Sequence, residues 1–237
     1  MGRILTLVAA AVLSWLLVTN LVGLTKDEEE YDNVFETEHK IALQPAEAAE
    51  DGFVSLPSNV PGTSLVAERL VCYEGAMLED RSDEPVGPAL ALILRNAGSL
   101  PILRAEVILK REGEQYVFRA GYLMPGMAVM VVEASAADYF RDGICSISGW
   151  EETMKSSVDL LDDLQFTHLD LACIEVRNVT NTPMENITLY HKNYLSEDIF
   201  IGGITYETYI PYLAPNQPVL IYPEHYAKGY SKIFFAQ

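Results

Sequence analysis

Basic residues are scarce in this chain: 16 Lys plus Arg stand against 34 Asp plus Glu, a formal net charge of -18 over 237 residues. Such a surface repels a phosphate backbone, which excludes nucleic acid as a partner. Cysteine is scarcer still. Cys72, Cys145 and Cys173 are too widely spaced for a metal cluster and sufficient for one disulfide at most. None of His39, His168, His191 and His225 stands at zinc-ligand spacing from another ligand. His168 and Asp170 point to the same side of a strand, but two ligands do not make a site. The part after the N-terminal run contains no Gly-x-Ser-x-Gly elbow, no Gly-rich phosphate loop and no Ser-x-x-Lys nucleophile. The pairs Glu151-Glu152 and Asp162-Asp163 resemble general acid and base groups, yet carboxylates are plentiful in so acidic a chain, and a solvated linker explains them. The reading is of a non-catalytic chain without cofactor or metal.

What is present is apolar and aromatic. Hydrophobic residues make up 49%, with 13 Tyr and 8 Phe, enough to build a sizeable core. From Ile4 to Leu24 run 21 uncharged residues. As a helix rising about 1.5 Å per residue they would span about 31 Å, the depth of a bilayer core. A cleaved signal peptide is the alternative, since Arg3 and the amino terminus form a short basic region before the run. Only Gly23 and Thr25 offer a weak cleavage pair, so we read an uncleaved anchor over residues 1–25. Arg3 precedes the span while Lys26 is outweighed by Asp27, Glu28, Glu29 and Glu30, which places the N-terminus in the cytoplasm and the bulk outside. Residues 26–51 carry ten acids and two Lys without an apolar period, so residues 26–64 read as a solvated, self-repelling stalk.

An internal repeat follows. A shift of 82 residues lays Ala89–Gly121 on Leu171–Gly203 without a gap. Arg95-Asn96 then meets Arg177-Asn178, Pro101 meets Pro183, Lys110 meets Lys192, Phe118 meets Phe200, and Gly121 meets Gly203. After eight extra residues in the second copy, Met124-Pro125-Gly126 stands opposite Ala214-Pro215-Asn216. Short apolar runs such as Leu90–Leu94 and Met127–Val132, separated by turn residues, indicate strands. Leu90–Leu94 is apolar on both faces, as in a central strand, whereas Ala105–Lys110 alternates. The chain therefore reads as mainly β, with antiparallel sandwiches over residues 65–150 and 165–237 and an acidic linker over 151–164.

Arg95-Asn96, Val107, Phe118 and Pro125-Gly126, with Arg177-Asn178, Leu189, Phe200 and Pro215-Asn216, form a pattern that resembles the extracytoplasmic immunoglobulin-like repeats of bacterial surface proteins, of the FxLYD and CARDB type. The whole chain is similar to uncharacterised membrane-anchored proteins of anaerobic Gram-positive bacteria. The resemblance implies two tandem Ig-like domains in the cell envelope and a binding or scaffolding role toward a protein or cell-wall glycan. A hydrolase of envelope polymers and an accessory subunit of a membrane complex are the alternative functions. Cys72 and Cys145 lie near the first and last strands of the first copy, where either one bridge or three reduced thiols is compatible with the sequence. For binding, Tyr206, Tyr209 and Tyr212 stand in or beside the eight-residue insertion. Their rings are either displayed to a partner or folded back by Ile204, Ile210 and Leu213.

Overall fold

The computed structural model describes residues 53–76, 85–154, 158–196 and 198–237, all within one compact unit, Ile41–Gln237. The anchor and most of the stalk lie outside the described residues. Among those described, no helix is long and apolar enough to cross a membrane. The chain is mainly β. In order come β1 (Ser58–Asn59), β2 (Leu65–Ala76), β3 (Pro85–Asn96), β4 (Ile102–Arg111), β5 (Glu114–Leu123), β6 (Ala128–Val132) and β7 (Ser146–Thr153). After one 3-10 turn at Leu161–Asp163 follow β8 (Leu164–His168), β9 (Ile174–Asn178), β10 (Met184–Ser196), β11 (Ile199–Ile201), β12 (Tyr206–Leu213), β13 (Pro218–Ile221) and β14 (Ser231–Ala236).

One pairing scheme occurs twice. In the first stretch β3 lies between β2 and β6, and β4 lies between β5 and β7. In the second, β9 lies between β8 and β13, and β10 is flanked by β12 and β14. Alternation along β4 buries Ala105, Val107 and Leu109 against Leu90, Leu92, Leu94 and Phe118. A second core gathers Ile174, Val176, Ile187, Leu189, Ile210 and Leu213. Ala91, Ile93, Ala128 and Met130, on the other face of β3 and β6, are buried too, as the two-faced apolar sequence of a central strand requires. Glu112 (φ 51°) and Gly113 (φ 91°) close the β4–β5 hairpin in the left-handed region, which suits a two-residue turn with the twist of the strands.

The repeated Arg-Asn marks a buried amide clamp. Asn96 is fully buried; its Nδ2 donates to the carbonyls of Leu100 (2.9 Å) and Leu123 (2.9 Å), and its Oδ1 accepts from the amide of Gly98 (2.9 Å). Asn178 does the same with Thr182 (2.7 Å), Leu213 (3.2 Å) and the amide of Thr180 (2.8 Å). Each amide thereby ties the end of one sheet to the opposite sheet and to the turn that leads there. The following turns match as well. The amide of Met127 donates to Met124 O across Pro125-Gly126, and that of Gln217 to Ala214 O across Pro215-Asn216. Replacing Asn178 with Ala removes these three bonds and a fourth, from the Thr180 hydroxyl to Oδ1 (2.7 Å), and each buried group left unpaired costs about 1–3 kcal/mol. Urea unfolding should register that loss, and Asn96→Ala should show one of similar size because it breaks the same network.

The extra residues of the second stretch fall elsewhere than the ungapped repeat implies. Hairpin β4–β5 pairs Ile102 with Leu123, and β10–β12 pairs Met184 with Leu213, so β12 occupies the place of β5. The additional chain precedes β12 and contains β11, which runs parallel to β6 with Ile199 against Ala128 and Ile201 against Met130. It joins the sheet of the first stretch to β10, giving the order β1-β2-β3-β6-β11-β10-β12. Phe200 is thus no counterpart of Phe118; it enters the same core. Gly121 and Gly203 touch instead of corresponding, with the Gly121 amide donating to Gly203 O (3.2 Å). Covering β6 in this way removes an exposed strand edge.

An aromatic pair also joins the stretches, and a buried lysine sets the second apart from the first. The Tyr122 and Tyr190 rings stack at 4.6 Å, beside Phe235 and Met154. Burial, then the hydrogen bond to Tyr190, pushes the Tyr122 phenol well above its ordinary range. Lys192 is fully buried and its Nζ donates to the carbonyls of Gly203 (3.3 Å) and Ile204 (2.8 Å), whereas Lys110, at the same place in the first stretch, is exposed.

Candidate functional site

Tyr206, Tyr209 and Tyr212 all lie on β12, a strand paired with β10 and, among the described residues, with no second neighbour in its sheet. Their environments differ. Tyr209 is 58% exposed and Tyr212 52% exposed, while Tyr206 is half-buried. A spacing of three puts both exposed rings in solvent because alternation slips between Ile210 and Leu213, both buried. The Tyr209 hydroxyl donates to Asn186 Oδ1 at 2.5 Å, which fixes its ring, and Tyr212 stands across from Glu185.

Tyr206 belongs to a second constellation that the sequence leaves unassembled. His191 and Tyr206 are cross-strand partners, and their rings stack at 5.2 Å. The other side of His191 meets the edge of Tyr226 at 5.2 Å, and Tyr226 Oη lies 2.7 Å from His168 Nε2. His225 completes the group with its ring 5.0 Å from that of Tyr206. Residues far apart in sequence are brought together by β8, β10, β12 and the loop from Tyr222 to Tyr230. His191 is 1% exposed, with Nε2 3.1 Å from Glu224 O, so the neutral ring carries its proton on Nε2. Burial lowers its pKa to about 4, and His225 and Lys192 add to the effect against the bond from Glu224. Burial, then Lys228, also lowers His168, while burial raises the Tyr226 phenol. No sequence spacing signals this group, because its members meet only through strand register.

No protein-family model, curated protein or solved structure matches the chain.

The other candidates have structural duties. Glu151 accepts from the amide and hydroxyl of Ser64 at 2.8 and 2.9 Å, and Glu152 pairs with Arg104 at 3.0 Å. Asp170 does not join His168; its Oδ1 caps the turn by accepting from the amides of Ala172 (2.9 Å) and Cys173 (2.6 Å). All three cysteines are free thiols. Cys72 is half-buried on β2, and Cys145 is exposed ahead of β7. Cys72 stands on a strand and Cys145 in the loop before another sheet, and the Cys72–Cys145 bridge is not formed in this structure. Cys173 is buried beside β9. Among the described residues no three His, Cys, Asp or Glu side chains converge as metal ligands.

Proposed function

We propose that the protein is a single-pass, membrane-anchored module holding two tandem Ig-like sandwiches outside the cytoplasm, where they contact a protein or a cell-envelope glycan without catalysing a reaction. In this reading residues 4–24 are the anchor and residues 65–150 and 165–237 the two sandwiches; the stalk, expected over residues 26–64, ends before Val54, because β1 pairs with β2 and Leu56 and Val60 are buried in the first core. The doubled strand pairing, with its paired Asn96 and Asn178 clamps, supports the tandem arrangement. The observation that carries the binding role is the exposure of Tyr209 and Tyr212 on an edge strand. Tyrosine contributes a large apolar face with little rotamer entropy to lose and retains a hydrogen-bonding tip, which suits protein interfaces and stacking on sugar rings. Glu185 opposite Tyr212 and the Asn186 amide beside Tyr209 add polar groups for orientation.

The test uses full-length protein in mild detergent, sedimented with purified cell-wall sacculi and, separately, co-purified from its native membrane. Tyr209→Ser with Tyr212→Ser should abolish retention in whichever assay binds. The melting temperature should stay within a few degrees, since exposed substitutions change stability by less than about 0.5 kcal/mol each. Retention undiminished by the double change would remove these rings from the interface, and absence of binding in both assays would defeat the reading. Protease added to intact cells reports the orientation: cleavage of the sandwiches agrees with an outside location, and protection until lysis reverses it.

A further inference from the structure

We infer that the histidine and tyrosine cluster is an acid-released latch that holds the loop from Tyr222 to Tyr230 against β10. The loop closes over one end of the second core, where Tyr226 is buried. It is fastened to β10 at His191, Asn193 and Tyr194, the last through its amide, which donates to Tyr230 O at 2.9 Å. Glu224 O receives the His191 Nε2 proton at 3.1 Å, and Asn193 Oδ1 accepts from Ser231 Oγ at 2.6 Å. Ser231 Oγ in turn accepts from the Ala227 amide at 2.9 Å, and the Lys228 amide donates to Leu171 O at 2.8 Å. Tyr226 packs on His191 and is bonded to His168, so two imidazoles hold one loop residue.

Charge around the cluster makes this arrangement sensitive to protons. From β8 comes His168, with Lys228 acting on it; from β12 comes Tyr206; from β10 itself come Lys192 and, acting on Tyr226, Tyr194. The loop supplies Glu224, His225 and Tyr226. The Glu224 carboxylate is 3.7 Å from His225 Nε2, and Glu224 offers His191 only its carbonyl. The charged groups acting on His191 are therefore cationic. A proton added at Nδ1 creates a buried imidazolium beside Lys192 and His225, and among the described residues no carboxylate is one of the charged groups acting on it. The ring is relieved of that burial when the loop opens and water reaches it.

The sign follows from linkage. The closed-state pKa of His191 is depressed to about 4 from 6.5, so the open state binds the proton more readily. Closure is fully favoured above 6.5 and is lost progressively as the pH falls from 6.5 toward about 4. This behaviour is independent of any partner at Tyr209 and Tyr212.

Hydrogen–deuterium exchange of the full chain in detergent tests the latch. After correction for the intrinsic rate, exchange of the loop amides should rise more than about tenfold between pH 7 and pH 5. The β3 and β4 amides should keep their protection over the same range. His191→Gln, which retains a donor for Glu224 O, and His191→Phe, which retains the ring contacts, each combined with His168→Gln so that neither imidazole on Tyr226 remains, should show loop exchange that no longer depends on pH. Using both variants guards against a fold lost in one of them. Loop protection unchanged in the parent protein, an acid response that survives in both variants, or simultaneous exposure of β3 and β4 would each overturn the proposal.

Discussion

Replacing Glu133 with Gln is expected to lower stability by about 3 kcal/mol, the order of a lost hydrogen-bond set to a charged group, and to lower the melting temperature by about 6–12 °C for a chain of this size. Glu133 follows β6 and is buried. Its Oε1 accepts from the Val117 amide of β5 at 3.0 Å. Its Oε2 accepts from the Ser135 amide (2.8 Å), the Ser135 hydroxyl (2.6 Å) and the Ala137 amide (3.2 Å). One carboxylate thus organises the loop after β6 and fastens it to the opposite sheet. Gln offers a single acceptor oxygen, and its amide nitrogen would face N–H donors. Burial pushes the Glu133 carboxyl upward, but the bonds from Ser135, Val117 and Ala137 outweigh it and hold the pKa below 4.5. Its stabilisation is present above that ordinary value and is lost as the pH falls through the depressed one. Thermal unfolding of the parent and of Glu133→Gln should therefore converge in acid; a gap that persists at low pH would assign the loss to shape rather than charge.

Gly203→Ala is expected to separate β11 from β6, whereas Gly121→Ala should be tolerated. A Cβ on Gly203 would lie 2.1 Å from the carbonyl oxygen of Arg119, a backbone atom with no rotamer in which to retreat. A Cβ on Gly121 would meet nothing closer than 3.4 Å. Overpacking usually costs about 1–3 kcal/mol, and contact with rigid backbone belongs at or beyond the upper end of that range. The strain has an outlet, because the extra chain before β12 can lift away and expose the β6 edge. Exchange of Ile199–Ile201 should accelerate in Gly203→Ala while Gly121→Ala remains within about 1 kcal/mol of the parent. Equal tolerance of the two changes would show that the contact is looser than its geometry.

The paired Asn clamps and the turns that follow them were legible because their signals are local. Arg-Asn before a short turn, an alternating strand and a Pro turn each constrain only a few neighbouring residues, and Asn96 and Asn178 fulfil one task in both places. The hairpin length was not legible. An alignment scores identities, and the Phe118–Phe200 and Gly121–Gly203 matches drew the register through β11, whereas backbone pairing assigns the place of β5 to β12. Nothing in residues 199–201 names β6 as their neighbour; a parallel pairing between distant segments is selected by the whole surface they bury together. The tyrosines divide for the same reason. Their spacing of three left display and burial open, and the slip in alternation along β12 exposes Tyr209 and Tyr212 while register places Tyr206 against His191.

Composition and periodicity by themselves determined a mainly β chain with two similar stretches, two-faced apolar central strands and an acidic surface, because side-chain alternation and turn chemistry act within a few residues. Only the tertiary structure decided that β11 continues the first sheet, that Lys192 is buried where Lys110 is exposed, and that His168, His191 and His225 gather around two tyrosines. Those outcomes depend on strand register and on which sheet edge remains to be covered, properties of the assembled backbone that no short window of sequence contains.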